Sequence, residues 1–431
     1  MGQQGGEMSL MPIEYQGREQ AYVKHTIPRT YLQRLIMIIG RSEKVINYVD
    51  CFAGPWSEES DDLRDTSIGI SLSLMKDCAK TLEEQHGAKV RFRALYIEKN
   101  DNAFAKLQRF LSNDTGSVVD ASCMHGDYTT KIEDIASWAK LGFTFFFIDP
   151  KGWRKVINAP VLAPLLALNR AEFLINLMYD FLNRAMSMTA QQANVEELLG
   201  KAITFSGKES ATERRQIIVS QYRQAVGDIY NGKTAYVTVE RPGMDRVLYF
   251  LIYLTRHSKG LIVFKEAAEQ MDMVQRVSQF ETKLRRQSSK RLPVNHLFSS
   301  PEDQPEPVNV RDNRMLAKKY LLTRLSATPL RWTMIAGQSF LEETDLYPTD
   351  LQLAFKDLAK EGKIINLDAD VRKRTKNPVR PHLALRKSER WVLCAESFSP
   401  KKIFLFLPTA HKPADDKKVL TPHKTVSQIP Y

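Results

Sequence analysis

Apolar residues in the first part of the chain come in short, mostly continuous runs, several of which stop at an acid. Val45, Ile46, Tyr48 and Val49 lead to Asp50, Val90 to Ile97 leads to Glu98, and Phe143 to Ile148 leads to Asp149. The turn Cys123-Met124-His125-Gly126-Asp127-Tyr128 ends in the same way. Runs of this kind predict strands buried on both faces, as in a parallel sheet flanked by helices. The expected fold class is therefore α/β, with a doubly wound, mostly parallel sheet. Glu172 to Met178 reads as another strand, followed by a helix from Tyr179. Ala193 to Gly227 reads as amphipathic helix, expected as an insertion over about 190-230 that covers the pocket. Ala235 to Val239 and Val247 to Leu254 read as a final hairpin-like pair of strands.

The pattern changes near residue 280. A basic run, Lys283-Leu284-Arg285-Arg286-Gln287-Ser288-Ser289-Lys290-Arg291, precedes a stretch rich in proline and acid that cannot form a helix or a central strand. Residues 281-310 are expected as a linker after a first domain of 1-280. Beyond it, Asn313 to Ser326, Trp332 to Phe340 and Pro348 to Glu361 read as three helices, the last with Pro348 in its first turn and Gly362 as its stop. Lys363 to Leu367, Leu383 to Leu385 and Trp391 to Leu393 supply strand material. Three helices and a hairpin predict a winged helix over 311-396, followed by a basic tail over 397-431. Arg372, Lys373, Arg374, Lys376 and Arg380 would form the wing tip and contact the phosphates of DNA or RNA. A winged helix can also dock a protein.

Charge sharpens that division. Residues 1–282 hold 34 Lys and Arg against 34 Asp and Glu, whereas residues 283–431 hold 28 against 16. The whole net charge of +12 thus lies in the C-terminal third, where a nucleic-acid surface is expected. With 431 residues, 43% hydrophobic and 26% charged, the chain has room for two or three globular domains. No run is long enough to span a bilayer and the first residues lack a signal pattern, so no membrane association and a cytoplasmic location are expected. The four cysteines, Cys51, Cys78, Cys123 and Cys394, are widely spread and form no C-x-x-C pair, so reduced thiols and no bound metal are expected. A phosphate-loop motif is absent from the sequence.

Ligands of doubly wound folds sit at the carboxyl ends of the strands. Asp50, Phe52, Ala53 and Gly54 form the turn after the first strand, where small residues let backbone approach a ligand. A carboxylate at the end of the second strand, here Glu98, can hold both hydroxyls of a ribose. Asp127 could receive an adenine amino group. Taken singly, each acid could equally be a loop carboxylate or a helix N-cap. His25, Asn176, Tyr179, Asp180 and the pair Arg256-His257 are further candidates on the acceptor side or for an anionic group.

Four acids in this order resemble the class I S-adenosylmethionine (SAM)-dependent methyltransferases, with their Rossmann-like fold. Lys24-His25-Thr26-Ile27, Val49-Asp50-Cys51-Phe52-Ala53-Gly54-Pro55, Phe147-Ile148-Asp149-Pro150-Lys151-Gly152-Trp153, Leu174-Ile175-Asn176-Leu177-Met178-Tyr179-Asp180 and Leu254-Thr255-Arg256-His257 together resemble the three-Cys-motif partner (TcmP) proteins over roughly residues 20 to 275. The resemblance implies SAM as cofactor and a radical-SAM-like three-Cys-motif protein as partner in a prokaryotic cell. It also implies an acceptor pocket at Asp149, Pro150 and Trp153. Asp149-Pro150-Lys151-Gly152-Trp153 is similar to the Asp-Pro-Pro-Tyr motif of amino-methyltransferases, but Lys151 replaces the second proline and the aromatic comes one residue late. Cytosine C5 chemistry needs a cysteine after a proline, and here the cysteines follow Asp50, Asp77, Ser122 and Leu393. The alternatives are a methyltransferase-like scaffold without transfer and, with less support, a nuclease.

Overall fold

The computed structural model describes residues 19–54, 66–114, 118–244, 246–290, 313–368 and 389–394. Its first part runs α1 (Glu19–Ile39), β1 (Val45–Asp50), α2 (Ser67–His86), β2 (Arg91–Glu98), α3 (Asp101–Asn113), β3 (Val119–His125), α4 (Ile132–Ala139), β4 (Phe143–Ile148), α5 (Ala159–Leu166), β5 (Ala171–Leu177), α6 (Tyr179–Ala185), α7 (Gln192–Leu199), α8 (Ala211–Tyr230), β6 (Lys233–Glu240), β7 (Val247–Thr255) and α9 (Ser258–Lys290). These strands form one sheet in the order β3-β2-β1-β4-β5-β7-β6, parallel except for β7, which pairs antiparallel with both β5 and β6. The centre of the sheet is β4, whose sequence Phe-Thr-Phe-Phe-Phe-Ile is buried at every position. That is what a strand covered on both faces requires.

Side-chain alternation sorts the strands into two cores. Tyr48, Tyr96, Phe147 and Leu174 face a core closed by α1, α2 and α9, while Val49, Ile97, Phe146 and Ile175 face one closed by α4, α5 and α8. Asp50 and Glu98 lie two residues beyond Tyr48 and Tyr96, so they share the first face. Local signals set the helix ends. Thr66 Oγ1 caps α2 by accepting from Gly69 N–H at 3.3 Å, and Gly87 ends it with φ +60°. A capping box of Ser210 and Glu213 opens α8.

Two expectations change here. The helix over residues 211–230 does not cover the pocket. Ile218, Val219, Tyr222, Val226 and Tyr230 of α8 are buried in the second core, and Tyr222 Oη donates to Ile157 O at 2.8 Å. The amphipathic pattern reflects a helix packed on the sheet. The segment expected as linker from 281 begins as helix, because α9 continues to Lys290. Gln275 and Gln279 of α9 bind the β6–β7 turn, Gln275 accepting from Glu240 N–H at 2.9 Å and Gln279 donating to Arg241 O at 2.9 Å. Contact with that turn sustains helix past the core.

The second part runs α10 (Asn313–Arg324), β8 (Leu330–Trp332), α11 (Met334–Glu343), α12 (Pro348–Lys360), β9 (Ile364–Asn366) and β10 (Glu389–Leu393). Its strands form a small antiparallel sheet in the order β8-β10-β9. Trp332, expected to begin a helix, instead ends β8 and packs edge-on against Phe355, with ring centroids 5.0 Å apart. Arg372, Lys373, Arg374, Lys376 and Arg380, the Leu383 to Leu385 strand and the tail over 397–431 lie outside the described residues.

Polar contacts fix this part to the sheet. Arg223 of α8 is buried and donates to Thr234 Oγ1 at 3.0 Å, Thr234 O at 2.8 Å and Glu342 O at 2.6 Å. Thr234 N–H donates to Glu342 Oε1 at 3.0 Å, and buried Lys265 of α9 donates to Thr344 O at 2.8 Å. Two cations thus meet the carbonyl end of α11, where the helix leaves acceptors without intrahelical partners and its dipole is negative.

Candidate functional site

The order of the strands reverses between β1 and β4, and a crevice opens beyond their carboxyl ends. It forms a cavity of about 990 Å³ lined by the turn after β1, the end of β2, the start of α3, the turn after β3, the loop after β4 and α6.

The turn after β1 is tied to both neighbouring strands. Cys51 N–H donates to Phe147 O at 3.0 Å and Ala53 N–H to Ile97 O at 2.8 Å. Asp50 is 1% exposed and supports this turn from below, its Oδ1 accepting from Phe52 N–H at 3.0 Å. Phe52 and Gly54 face the cavity, while Asp50 and Ala53 stand behind them. Phe52 packs on buried Tyr128 at 5.1 Å between centroids.

Glu98 is 9% exposed at the end of β2 and lines the cavity. Its Oε1 accepts from Asn100 N–H at 2.7 Å, and Asn100 in turn caps α3 by accepting from Ala103 N–H at 2.9 Å. Oε2 lies on the side of Gly54. Gly126 N–H donates to Glu98 O at 3.0 Å, which brings the next turn alongside. There Asp127 Oδ1 accepts from Thr129 N–H at 3.0 Å and Thr129 Oγ1 at 2.7 Å, and Lys99 Nζ stands 3.7 Å from Oδ2. The Thr129 hydroxyl and N–H hold the Asp127 carboxyl below its usual range, with Lys99 adding to the effect.

Beyond β4, half-buried Asp149 accepts at Oδ1 from Asn176 Nδ2 at 2.6 Å. Pro150, Lys151 and Trp153 line the cavity. Trp153 is only 5% exposed and packed into the second core, so it forms wall. Cys51 also borders the cavity, but burial first, and Asp50 next, push its thiol well above the usual range, against a nucleophilic role.

The expected site residues therefore divide into three groups. Phe52, Gly54, Glu98, Asp127, Pro150 and Trp153 border one cavity. Asp50, Ala53 and Asp149 support it from behind. The basic wing residues lie outside the described residues, as does the side chain of His25. Asp180 is engaged by Arg246, whose Nη2 donates to Oδ1 at 2.6 Å, and by Arg184 Nη2 at 3.6 Å. Arg256 does not serve an anionic ligand. It donates to Leu166 O and Tyr230 O, both at 2.8 Å, and to Leu168 O at 2.7 Å, at the end of the sheet opposite the cavity. Sequence reasoning missed Phe181, Arg184 and Met188, which border the cavity mouth from α6 and the turn after it. Their only signal is Phe181 and Arg184 at i,i+3 on one helix.

Among the described residues, no three His, Cys, Asp or Glu side chains gather as a metal site requires, and no helix is long and apolar enough to cross a membrane.

No protein-family model and no curated protein matches the chain. Among solved structures, a dimethyladenosine transferase from Plasmodium falciparum is similar over 79% of this chain and 96% of its own, at 11% identity and a TM-score of 0.28. The N-terminal domain of EvdMO1 with SAH bound is similar over 53% of this chain and 80% of its own, at 10% identity and a TM-score of 0.26. A loganic acid methyltransferase with SAH is similar over 66% of this chain and 92% of its own, at 9% identity and a TM-score of 0.26. The strand order carries the fold: a mostly parallel central sheet with flanking helices, of the doubly wound, Rossmann-like kind.

Proposed function

We propose that the chain is a SAM-dependent methyltransferase that modifies a nucleic acid, acting with the radical-SAM-like three-Cys-motif protein that its TcmP-like motifs imply. The observation that carries this reading is the convergence of Glu98, Gly54 and Asp127 on one cavity at the reversal of strand order.

The residues present fit the cofactor. Gly54 lies where any Cβ would fill the space beside the Glu98 carboxylate. Glu98 would accept from the ribose hydroxyls, Asp127 would accept from the adenine amino group, and Phe52 would supply an apolar wall. When bound, SAM supplies a methyl group on a positively charged sulfur. The chain itself has to align an acceptor with that methyl, so positioning dominates. Asn176 fixes the Asp149 carboxylate at 2.6 Å, and the Pro150 turn brings backbone to the cavity wall. The described elements of residues 313–393 follow in the order helix–strand–helix–helix–strand–strand, the order expected of a winged helix, and this supports the reading of a nucleic-acid target.

Calorimetric titration with SAM tests the proposal. Micromolar binding that Glu98→Ala abolishes is the expected result. Absence of binding by folded, cofactor-free protein would sink transfer by this chain alone. A second reading, a scaffold that binds nucleic acid and recruits the partner, draws support from one observation: Trp153 is buried in the second core, which leaves the turn after Asp149 without a free aromatic of its own. Under that reading Glu98→Ala would leave function intact.

A further inference from the structure

Trp153, expected in the acceptor pocket, is built into the wall. The exposed aromatic at the mouth is Phe181 on α6, which is 49% exposed. The Arg184 guanidinium sits over its ring at 4.8 Å from the centroid, and Met188, also exposed, borders the same opening. Lys151 and Arg154 are exposed on the loop after β4 and make no ion pair among the described residues. The nearby carboxylate of Asp180 is already matched by Arg246 and Arg184.

An exposed ring with an arginine stacked on it, beside two further cations, suits a nucleotide, whose base has a π-face and whose phosphate is anionic. A base inside a duplex cannot reach such a ring. We propose that Phe181, Arg184, Lys151 and Arg154 form a stacking platform for an unpaired nucleotide of single-stranded or locally opened nucleic acid entering the cavity. This inference rests on the reading of the cavity as a transfer site and names the state of the substrate that the site takes. Phe181 would stack on the base, and Lys151 and Arg154 would meet the flanking phosphates.

The test uses the full chain and short single-stranded DNA and RNA oligonucleotides that carry a fluorescent purine analogue, whose emission falls on stacking. Anisotropy reports binding anywhere on the protein, and analogue emission reports stacking. Wild type is expected to quench the analogue. Phe181→Ala and Phe181→Leu are expected to lose the quenching and weaken single-strand binding by about tenfold, whereas Phe181→Trp keeps both. Retained quenching in the Ala and Leu variants, or a rim that binds only duplex, would overturn the platform. Parallel titration with SAM separates the two ideas. Phe181-dependent quenching without SAM binding would sink methyl transfer alone, and SAM binding without Phe181-dependent quenching would sink the platform alone.

Discussion

Gly54 lies directly against the carboxylate of Glu98: a Cβ at position 54 would collide with Oε2 and stand 2.9 Å from Cδ. The first turn and the end of the second strand are therefore one unit. Gly54→Ala is expected to push Glu98 away from the cavity and weaken SAM binding about tenfold or more. The fold should persist, because the displaced atoms are the tip of a side chain. Calorimetry and circular dichroism check the two halves, and Glu98→Asp in the same chain, with its shorter reach, should restore part of the affinity.

Arg223 offers a test of how residues 313–394 are attached. Removing it would leave the buried acceptors Thr234 Oγ1, Thr234 O and Glu342 O short of a donor. Arg223→Ala is expected to cost about 3 kcal/mol. Urea unfolding should then split into two transitions, with early proteolysis between α9 and α10. A single transition at unchanged midpoint would mean that the apolar contacts alone hold the two parts together.

Glu172 is buried among Tyr31, Tyr253 and Thr255, whose hydroxyls hydrogen-bond to it. Burial raises its carboxyl above the ordinary 4.5, and the Thr255, Tyr31 and Tyr253 hydrogen bonds offset part of that rise. A raised folded-state value favours the protonated form, so the folded protein binds the extra proton. The stability that this supplies is full below about pH 4.5 and is lost as pH rises through the folded value. Unfolding free energy measured against pH should fall over that interval in wild type, and Glu172→Gln should flatten it.

The thiols should react in a set order. Burial pushes Cys51 well up and Cys78 up to about 11, while Cys123 is only partly buried. Alkylation of native protein at about pH 8 should spare Cys51 and Cys78 and reach Cys123 first of these three, as read by peptide mass spectrometry. Labelling of Cys51 before unfolding would reopen a nucleophilic role.

Much of the sheet was legible because its signals are local. Phe143 to Ile148 is apolar at every position but Thr144 and ends at Asp149, and few alternatives fit such a run. Pro348 marked the start of α12 for a similar reason. Other features were hidden because they depend on distant partners. The burial of Trp153 comes from the second core, and the 33 residues of α9 persist through contacts with the β6–β7 turn. Pattern alone could not distinguish a helix that covers a pocket from one that packs on a sheet, so α8 was misplaced. Phe181 was missed because exposure decides its meaning, and exposure is a property of the folded chain.

The clasp on α11 also sets a distance. It grips β6, four strand positions from β1, which at the usual spacing between strands is about 19 Å. A module on a loose tether would let a bound nucleic acid present any nearby position to the cavity. Under the proposed nucleic-acid reading, a module fastened to the sheet edge would work as a gauge. The nucleotide presented would, on that reading, lie a set number of steps from the sequence gripped. Inserting residues between α9 and α10 would then leave that offset unchanged, whereas loosening Arg223 would blur it.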